Sequence, residues 1–174
     1  MNTQNTFEVN ITYMNEDFII ELNSSLCTSS DILENLQEMK KERFEQESGE
    51  DFEADFEDDF MINWLEVPNW LQDLELLEEL LPILDSTSYD LEVFEAGIAA
   101  DVEICNIEEA YSGEFDSDKD FAENMADELG LISCKNMIDK DSQSWPFNCI
   151  DWDYAAKELM YDYNSANGYY FRSL

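Results

Sequence analysis

The sequence predicts an α+β protein built as three small modules in series, and three patterns point that way. Apolar and polar residues alternate near the N-terminus, leucines recur at helical spacing in the middle, and a capped helix and an Asn-Gly turn mark the last third.

Phe7, Val9, Ile11 and Tyr13 alternate with Glu8, Asn10 and Thr12, the period of a half-buried strand. Residues 17–22 (DFIIEL) return as its hairpin partner after a short polar turn. Asp31 stands at a capping position with Glu34 three residues later, and Ile32, Leu36, Met39 and Arg43 follow at helical spacing. Residues 45–59 hold nine acids and no base, with Phe52, Phe56 and Phe60 at every fourth position, as in a helix with one apolar stripe. Phe60, Ile62 and Trp64 alternate with Met61 and Asn63 as a further strand, and Pro68 marks a boundary. The first module is therefore 1–65, an antiparallel sheet plus helix carrying an acidic insertion at 45–59.

Residues 66–100 form the central helical module. Leu71, Leu74, Leu77 and Leu81 share one face of a helix over 70–84, which Pro82 should end or bend. A second helix runs from about Ser88 to Ile98 with Leu91, Phe94 and Ile98 inward. The third module, 101–174, opens on an expected strand at 101–105. Ser117 then caps a helix with Asp120 at the third position, Phe121, Met125 and Leu129 face inward, Gly130 supplies a left-handed C-terminal cap and Leu131 its apolar contact. A helix from about Asp151 to Tyr163, with Trp152, Ala155, Ala156 and Leu159 apolar, leads through Asn167-Gly168 into a last strand, YYFR. No internal repeat is visible.

Charge sets this chain apart. It carries 43 Asp and Glu against eight Lys and Arg, a net −35 over 174 residues. Leu, Ile, Val and Phe make up about a quarter of the chain and 13% is aromatic, so it has the apolar content of a folded protein. Solubility needs only roughly 2–8 net charges on a small domain, and self-repulsion at −35 opposes compaction. The acids are spread through the modules, 17 in 1–65, nine in 66–100 and 17 in 101–174. The charge is therefore not confined to one detachable tail, which argues against an enzyme with an acidic appendage.

Most catalytic chemistry is also excluded. There is no histidine to serve as a general base or triad member, and no glycine-rich phosphate loop. A cysteine nucleophile would lack its usual partner. With 43 carboxylates any pair spacing can be found, so the pattern does not indicate glycoside hydrolysis. Cys27, Cys105, Cys134 and Cys149 form no CxxC pair, so no zinc site is expected and each reads as a small core residue. DSDKD at 116–120 begins like a calcium loop, but Phe121 and Asp127 occupy the positions that need Gly and a bidentate Glu. No catalytic residue, metal or cofactor is expected. The start lacks the basic and apolar regions of a signal peptide and no apolar run could span a membrane, so a cytoplasmic protein with reduced thiols is expected. Direct binding to DNA would need clustered bases, and only Lys40, Lys41 and Arg43 lie close together.

The acids themselves match a duplex. B-DNA carries one charge per ~1.7 Å of axis, so the net charge corresponds to about 60 Å of duplex. Asp120, Glu123 and Asp127 make a line along one helix face at ~5 Å per charge, and two or three such lines approach the density of DNA. Asp127 and Glu128 crowd the end of that helix, where cations are preferred, and break a local rule as functional surfaces often do. The acids expected to face a partner include Asp55, Asp58 and Asp59 in the first module and Glu75, Glu78 and Glu79 in the second. In the third they are Asp101, Glu103, Glu108, Glu109, Glu114, Asp116, Asp118, Asp120, Glu123, Asp127, Glu128, Asp151 and Asp153.

Two stretches resemble the ArdA family of antirestriction proteins. IEEAYSGEFDSDKDFAENMADELG at 107–130 is similar to that family's acidic segment, with its Ala-Tyr, Gly-Glu, aromatic-Asp and capped-helix elements in order. IDWDYAAKELMYDYNSANGYYF at 150–171 resembles its C-terminal aromatic-Asp, Ala and acidic-Leu pattern with a turn and strand. LLPILDSTSYDLEVFEAG at 80–97 and MINWLEVP at 61–68 are looser likenesses. The resemblance implies an elongated homodimeric DNA mimic, carried by a phage, plasmid or conjugative element. Its target would be the DNA-binding groove of type I restriction-modification enzymes. Two other readings fit the composition: a DNA mimic aimed at another DNA-binding defence protein, such as a CRISPR effector with a positive channel, or an acidic chaperone for basic proteins. A chaperone would hold its charge in a flexible run beside a neutral body.

Overall fold

The computed structural model describes residues 5–48, 59–64, 67–130 and 149–174, and shows an α+β chain that divides into two compact units, Met1–Ser88 and Tyr89–Leu174. The expected central module 66–100 is split between them, one helix to each unit. The acidic insertion, with Phe52, Phe56, Asp55 and Asp58, lies outside the described residues apart from its ends, as do Leu131 and Cys134.

In the first unit, β1 (Phe7–Tyr13) pairs with β2 (Glu16–Leu22) and β3 (Met61–Trp64) in an antiparallel sheet of order β2-β1-β3. Met14 and Asn15 form the hairpin loop with φ of 48° and 61°, the left-handed pair that matches strand twist in a two-residue turn. Strand alternation is strict. Val9, Ile11, Tyr13, Phe18, Ile20 and Leu22 are buried, whereas Ile19 on the opposite face is 63% exposed.

Helix α1 (Ser29–Ser48) starts two residues before the expected cap Asp31. Thr28 is the capping residue: its Oγ1 accepts from the Asp31 N–H at 3.1 Å and donates to Asp31 Oδ2 at 2.6 Å. Ile32 and Leu36 are buried, and the Arg43 guanidinium lies 4.5 Å from the Phe18 ring centroid. Lys40 and Arg43 both pair with Glu16. Hydrogen bonding from Lys40, partly opposed by burial and reinforced by Arg43, holds the Glu16 carboxyl below its ordinary value.

A depressed carboxylate stabilises the fold above its unfolded pKa, and that stability is lost as pH falls through the folded value. Relative to Glu16→Gln, wild type should therefore gain a few tenths to about 1 kcal/mol at pH 7, a surface-pair magnitude. That gain should begin to decline near the ordinary 4.5 and be lost once pH falls through the lowered folded value. Urea titrations of both proteins across pH 3–7 measure it, and a gain that persisted undiminished at pH 3 would contradict the assignment.

After a 3-10 turn at Asn69–Leu71, α2 runs over Leu74–Ser86. Asp73 caps it, accepting from the N–H groups of Glu75 and Leu76 at 2.9 and 3.1 Å. The helix therefore begins later than expected, and it continues past Pro82 to Ser86 rather than ending there. Leu71, Leu77, Leu80, Leu81 and Leu84 are buried. Asn5 Nδ2 donates to the Leu84 carbonyl at 3.0 Å and Ser24 Oγ donates to Asp85, tying the end of α2 to the hairpin region.

The second unit opens with α3 (Leu91–Ala99). The strand expected at 101–105 is absent, for a local reason. Asp101 takes φ of 65°, its N–H donates to the Ile98 carbonyl, and the Val102 N–H reaches back to Gly97 at 3.0 Å, a full Schellman closure. The chain then coils through a 3-10 turn (Ile104–Asn106) into α4 (Ile107–Ala110). Ile107 packs so close to Gly97 that a Cβ there would lie 2.7 Å from its Cδ1.

Strand β4 (Tyr111–Glu114), α5 (Asp118–Glu128), α6 (Trp152–Leu159), β5 (Tyr163–Ala166) and β6 (Tyr169–Arg172) complete the unit, with sheet order β4-β6-β5. The helix expected over 151–163 stops at Leu159, and its last residue instead begins β5. Asn167 and Gly168, with φ of 53° and 87°, make the tight turn into β6. Phe121 is fully buried, stacked on Tyr170 at 4.5 Å and ringed by Tyr163 and Phe115 at 4.9 and 5.1 Å. Leu129, expected inward, is 66% exposed because it sits at the C-cap beyond the last buried turn.

Among the described residues no charged side chain is buried. Folding therefore gathers the acids onto the surface at close quarters, and screening should relieve their repulsion. The melting temperature should rise as sodium chloride goes from about 0.01 to 0.3 M, as the Debye length shrinks from ~30 Å to below 10 Å. A steady fall over that range in differential scanning calorimetry would contradict an acid-covered surface.

Candidate partner-binding surface

The acids of the second unit sit at element ends and on helix faces turned to solvent. At the start of α5, Ser117 Oγ accepts from the Asp120 N–H at 3.2 Å and donates to Asp120 Oδ2 at 2.9 Å, which fixes the helix entry. Asp116, Asp118, Asp127 and Glu128 are exposed, and Asp120 and Glu123 are half-buried. The expected line Asp120–Glu123–Asp127 therefore lies on one face, spanning about 10 Å at 1.5 Å per residue. Phe121 is in the core and Asp127 in the helix, so the calcium-loop reading of 116–127 has no loop to occupy.

Some acids serve the scaffold as well as the surface. Asp118 Oδ1 accepts from the Tyr170 hydroxyl at 2.7 Å, and burial followed by this bond pushes the phenol well above its ordinary pKa. Asp151 Oδ1 caps α6 by accepting from the Tyr154 N–H at 3.1 Å. Glu103 accepts from Asn106 Nδ2 at 3.1 Å. Asp153, Glu108, Glu109, Glu114 and Asp101 are exposed on α6, α4, β4 and the turn after α3. In the first unit Glu75, Glu78 and Glu79 are exposed on α2, away from its buried leucines, and Asp59 is exposed just before β3.

The ion pairs among the described residues all lie on α1, which uses Lys40, Lys41 and Arg43 to engage Glu16 and Glu45. α5 and α6 pack against each other in the second unit. No family model, curated protein or solved structure matches the chain. What remains is the chemistry of the surface itself, exposed carboxylates on folded elements that hold their spacing.

Sequence reasoning missed a groove of about 500 Å³ in the second unit, bounded by β4 and the second half of α5. Tyr89, Tyr111, Tyr163, Glu109, Glu128 and Arg172 line it. Tyr89 meets Tyr111 edge to face at 5.1 Å and 77°. Burial, with Tyr169 and Glu114 nearby, raises the Tyr111 hydroxyl above its ordinary pKa. These residues come from five separate places in the sequence, so no local pattern could have joined them. Of the cysteines expected in the core, Cys27 is buried and its thiol is pushed up by that burial, whereas Cys105 and Cys149 are exposed.

No helix among the described residues is long and apolar enough to cross a membrane.

Proposed function

We propose that this chain is a non-catalytic DNA mimic that occupies the DNA-binding groove of a type I restriction-modification enzyme in the cytoplasm of a bacterial host. The observation that carries the reading is the state of the acids. Of the 17 described acids singled out from the sequence, 15 are exposed and two half-buried, while the bases of α1 engage Glu16 and Glu45. A surface of that kind presents its charge outward as a duplex presents phosphates. Its carboxylates ride on capped helices and strand ends, which favours a fixed imitation over a chaperone with a flexible acidic run. The resemblance of 107–130 and 150–171 to ArdA proteins supplies the target class and the expectation of a homodimer.

Competition measures the central claim. This protein and labelled duplex should exclude one another from the purified target, and the protein's apparent affinity should fall with rising salt as that of DNA does. Simultaneous binding of duplex and protein to one groove would sink the mechanism. Light scattering at micromolar concentration should give twice the chain mass of 20.3 kDa, and a clean monomer would remove the dimer.

A further inference from the structure

We propose that the groove bounded by β4 and the second half of α5 seats one arginine side chain of a basic partner protein. The inference rests on reading the chain as a ligand for basic proteins, and it names the chemistry of one contact. Three independent features converge there. Tyr89, Tyr111 and Tyr163 line a space of about 500 Å³, with Tyr111 and Tyr163 on the two faces of the sheet at its end. Glu109 of α4 and Glu128 of α5 supply carboxylates from separate elements, and neither forms an ion pair with a base among the described residues. The α5 C-terminus adds the negative end of its dipole, with no basic residue in the last turn to offset it.

Those features select a guanidinium over an ammonium. A guanidinium is planar and weakly hydrated, so it can stack on a tyrosine face while its N–H fork meets a carboxylate. An ammonium is a compact, strongly hydrated charge that gains less from the rings. Arg172 also lines the groove, is exposed, and makes no ion pair with a described residue. It pairs directly with neither carboxylate but repels an incoming cation, so its removal should strengthen binding.

The test is NMR of the full chain with labelled tyrosine rings, titrated with acetyl-Gly-Arg-Gly-amide and its lysine counterpart at equal ionic strength. The arginine peptide should shift the Tyr89, Tyr111 and Tyr163 rings saturably and bind about three- to fivefold tighter than the lysine peptide. Glu128→Gln and Tyr89→Leu should each weaken it about threefold, and Arg172→Gln should tighten it, while Glu158→Gln on exposed α6 should leave it unchanged. Circular dichroism confirms that each variant is folded. Equal affinity for the two peptides, unmoved tyrosine rings, or an equal loss from Glu158→Gln would overturn the arginine seat. If the peptide fills the groove but duplex competition is absent, mimicry falls and the seat stands. If competition is intact and the ring shifts are absent, the seat falls and mimicry stands.

Discussion

Replacing Asp116, Asp118, Asp120, Glu123 and Asp127 together by Asn or Gln is expected to weaken competition with duplex DNA at least about a hundredfold while α5 stays folded. For B-DNA, log K falls with log salt by about 0.9 per phosphate contacted, which near 0.1 M is close to tenfold per contact. Two of the five carboxylates engaged at a basic groove already give the stated loss. The helix should survive because amides preserve its fixed bonds. Asn at 118 can still accept from the Tyr170 hydroxyl, and Asn at 120 can still accept from Ser117 Oγ. Removing Asp127 from the last turn also lifts an unfavourable charge from the negative end of the helix. Asp120→Asn alone removes one contact at most and should change affinity by no more than about tenfold. The measurement is competition with labelled duplex at several salt concentrations, and the fivefold variant should also show a shallower salt slope. Full inhibition by that variant, or its complete loss from the single substitution without unfolding, would rule out summed electrostatics.

Phe121→Ala should cost about 3–5 kcal/mol, the range for emptying a buried phenylalanine site. Its ring has no exposed surface and meets three other rings, those of Tyr170, Tyr163 and Phe115. The three come from β6, β5 and the loop before α5, so the cavity opens where the elements of the unit converge. Small domains hold only about 5–15 kcal/mol in reserve, and here self-repulsion already draws on it. Urea unfolding followed by tyrosine fluorescence should show the loss. Phe121→Leu, which refills much of the volume, should recover most of it. A loss under about 1 kcal/mol would mean that the aromatic cluster does not hold the unit together.

How much of this was legible depended on whether the deciding interaction was local. The β1–β2 hairpin was readable because a buried face imposes period two on residues 7–22, and α5 was readable because Ser117, Asp120 and Gly130 carry its two ends. Asn167-Gly168 announced the turn into β6 for the same reason. The start of α1 was misplaced because Thr28 and Asp31 are both capable caps three residues apart, and only the hydrogen bonds choose between them. Residues 101–105 alternate like a strand, yet the left-handed turn at Asp101 sends them into a coil. β4 gave no alternation to read, since Gly113 with φ of 119° breaks its register against β6 and leaves its Cα hydrogen facing the Phe115 ring, where a Cβ would lie 2.8 Å away. The surface acids were easy to name from sequence. Their division into scaffold acids and solvent acids was not, because it depends on partners such as Tyr170, 52 positions from Asp118.

That division has an evolutionary side. Asp73, Asp120 and Asp151 each hold an oxygen against particular donors at helix starts, so a shift by one position or one methylene would misplace the bond. Glu75, Glu79 and Asp153 are exposed and contribute only to a field, which sums over many charges and is indifferent to which carboxylate sits where. Such positions can trade Asp for Glu, or exchange places with a neighbour on the same face, at little cost to the potential a partner feels. The surface is written in a degenerate alphabet on a scaffold that is not. Lineages sharing this architecture should therefore drift fastest in the very residues that meet the partner, reversing the usual pattern in which binding residues are the slowest to change.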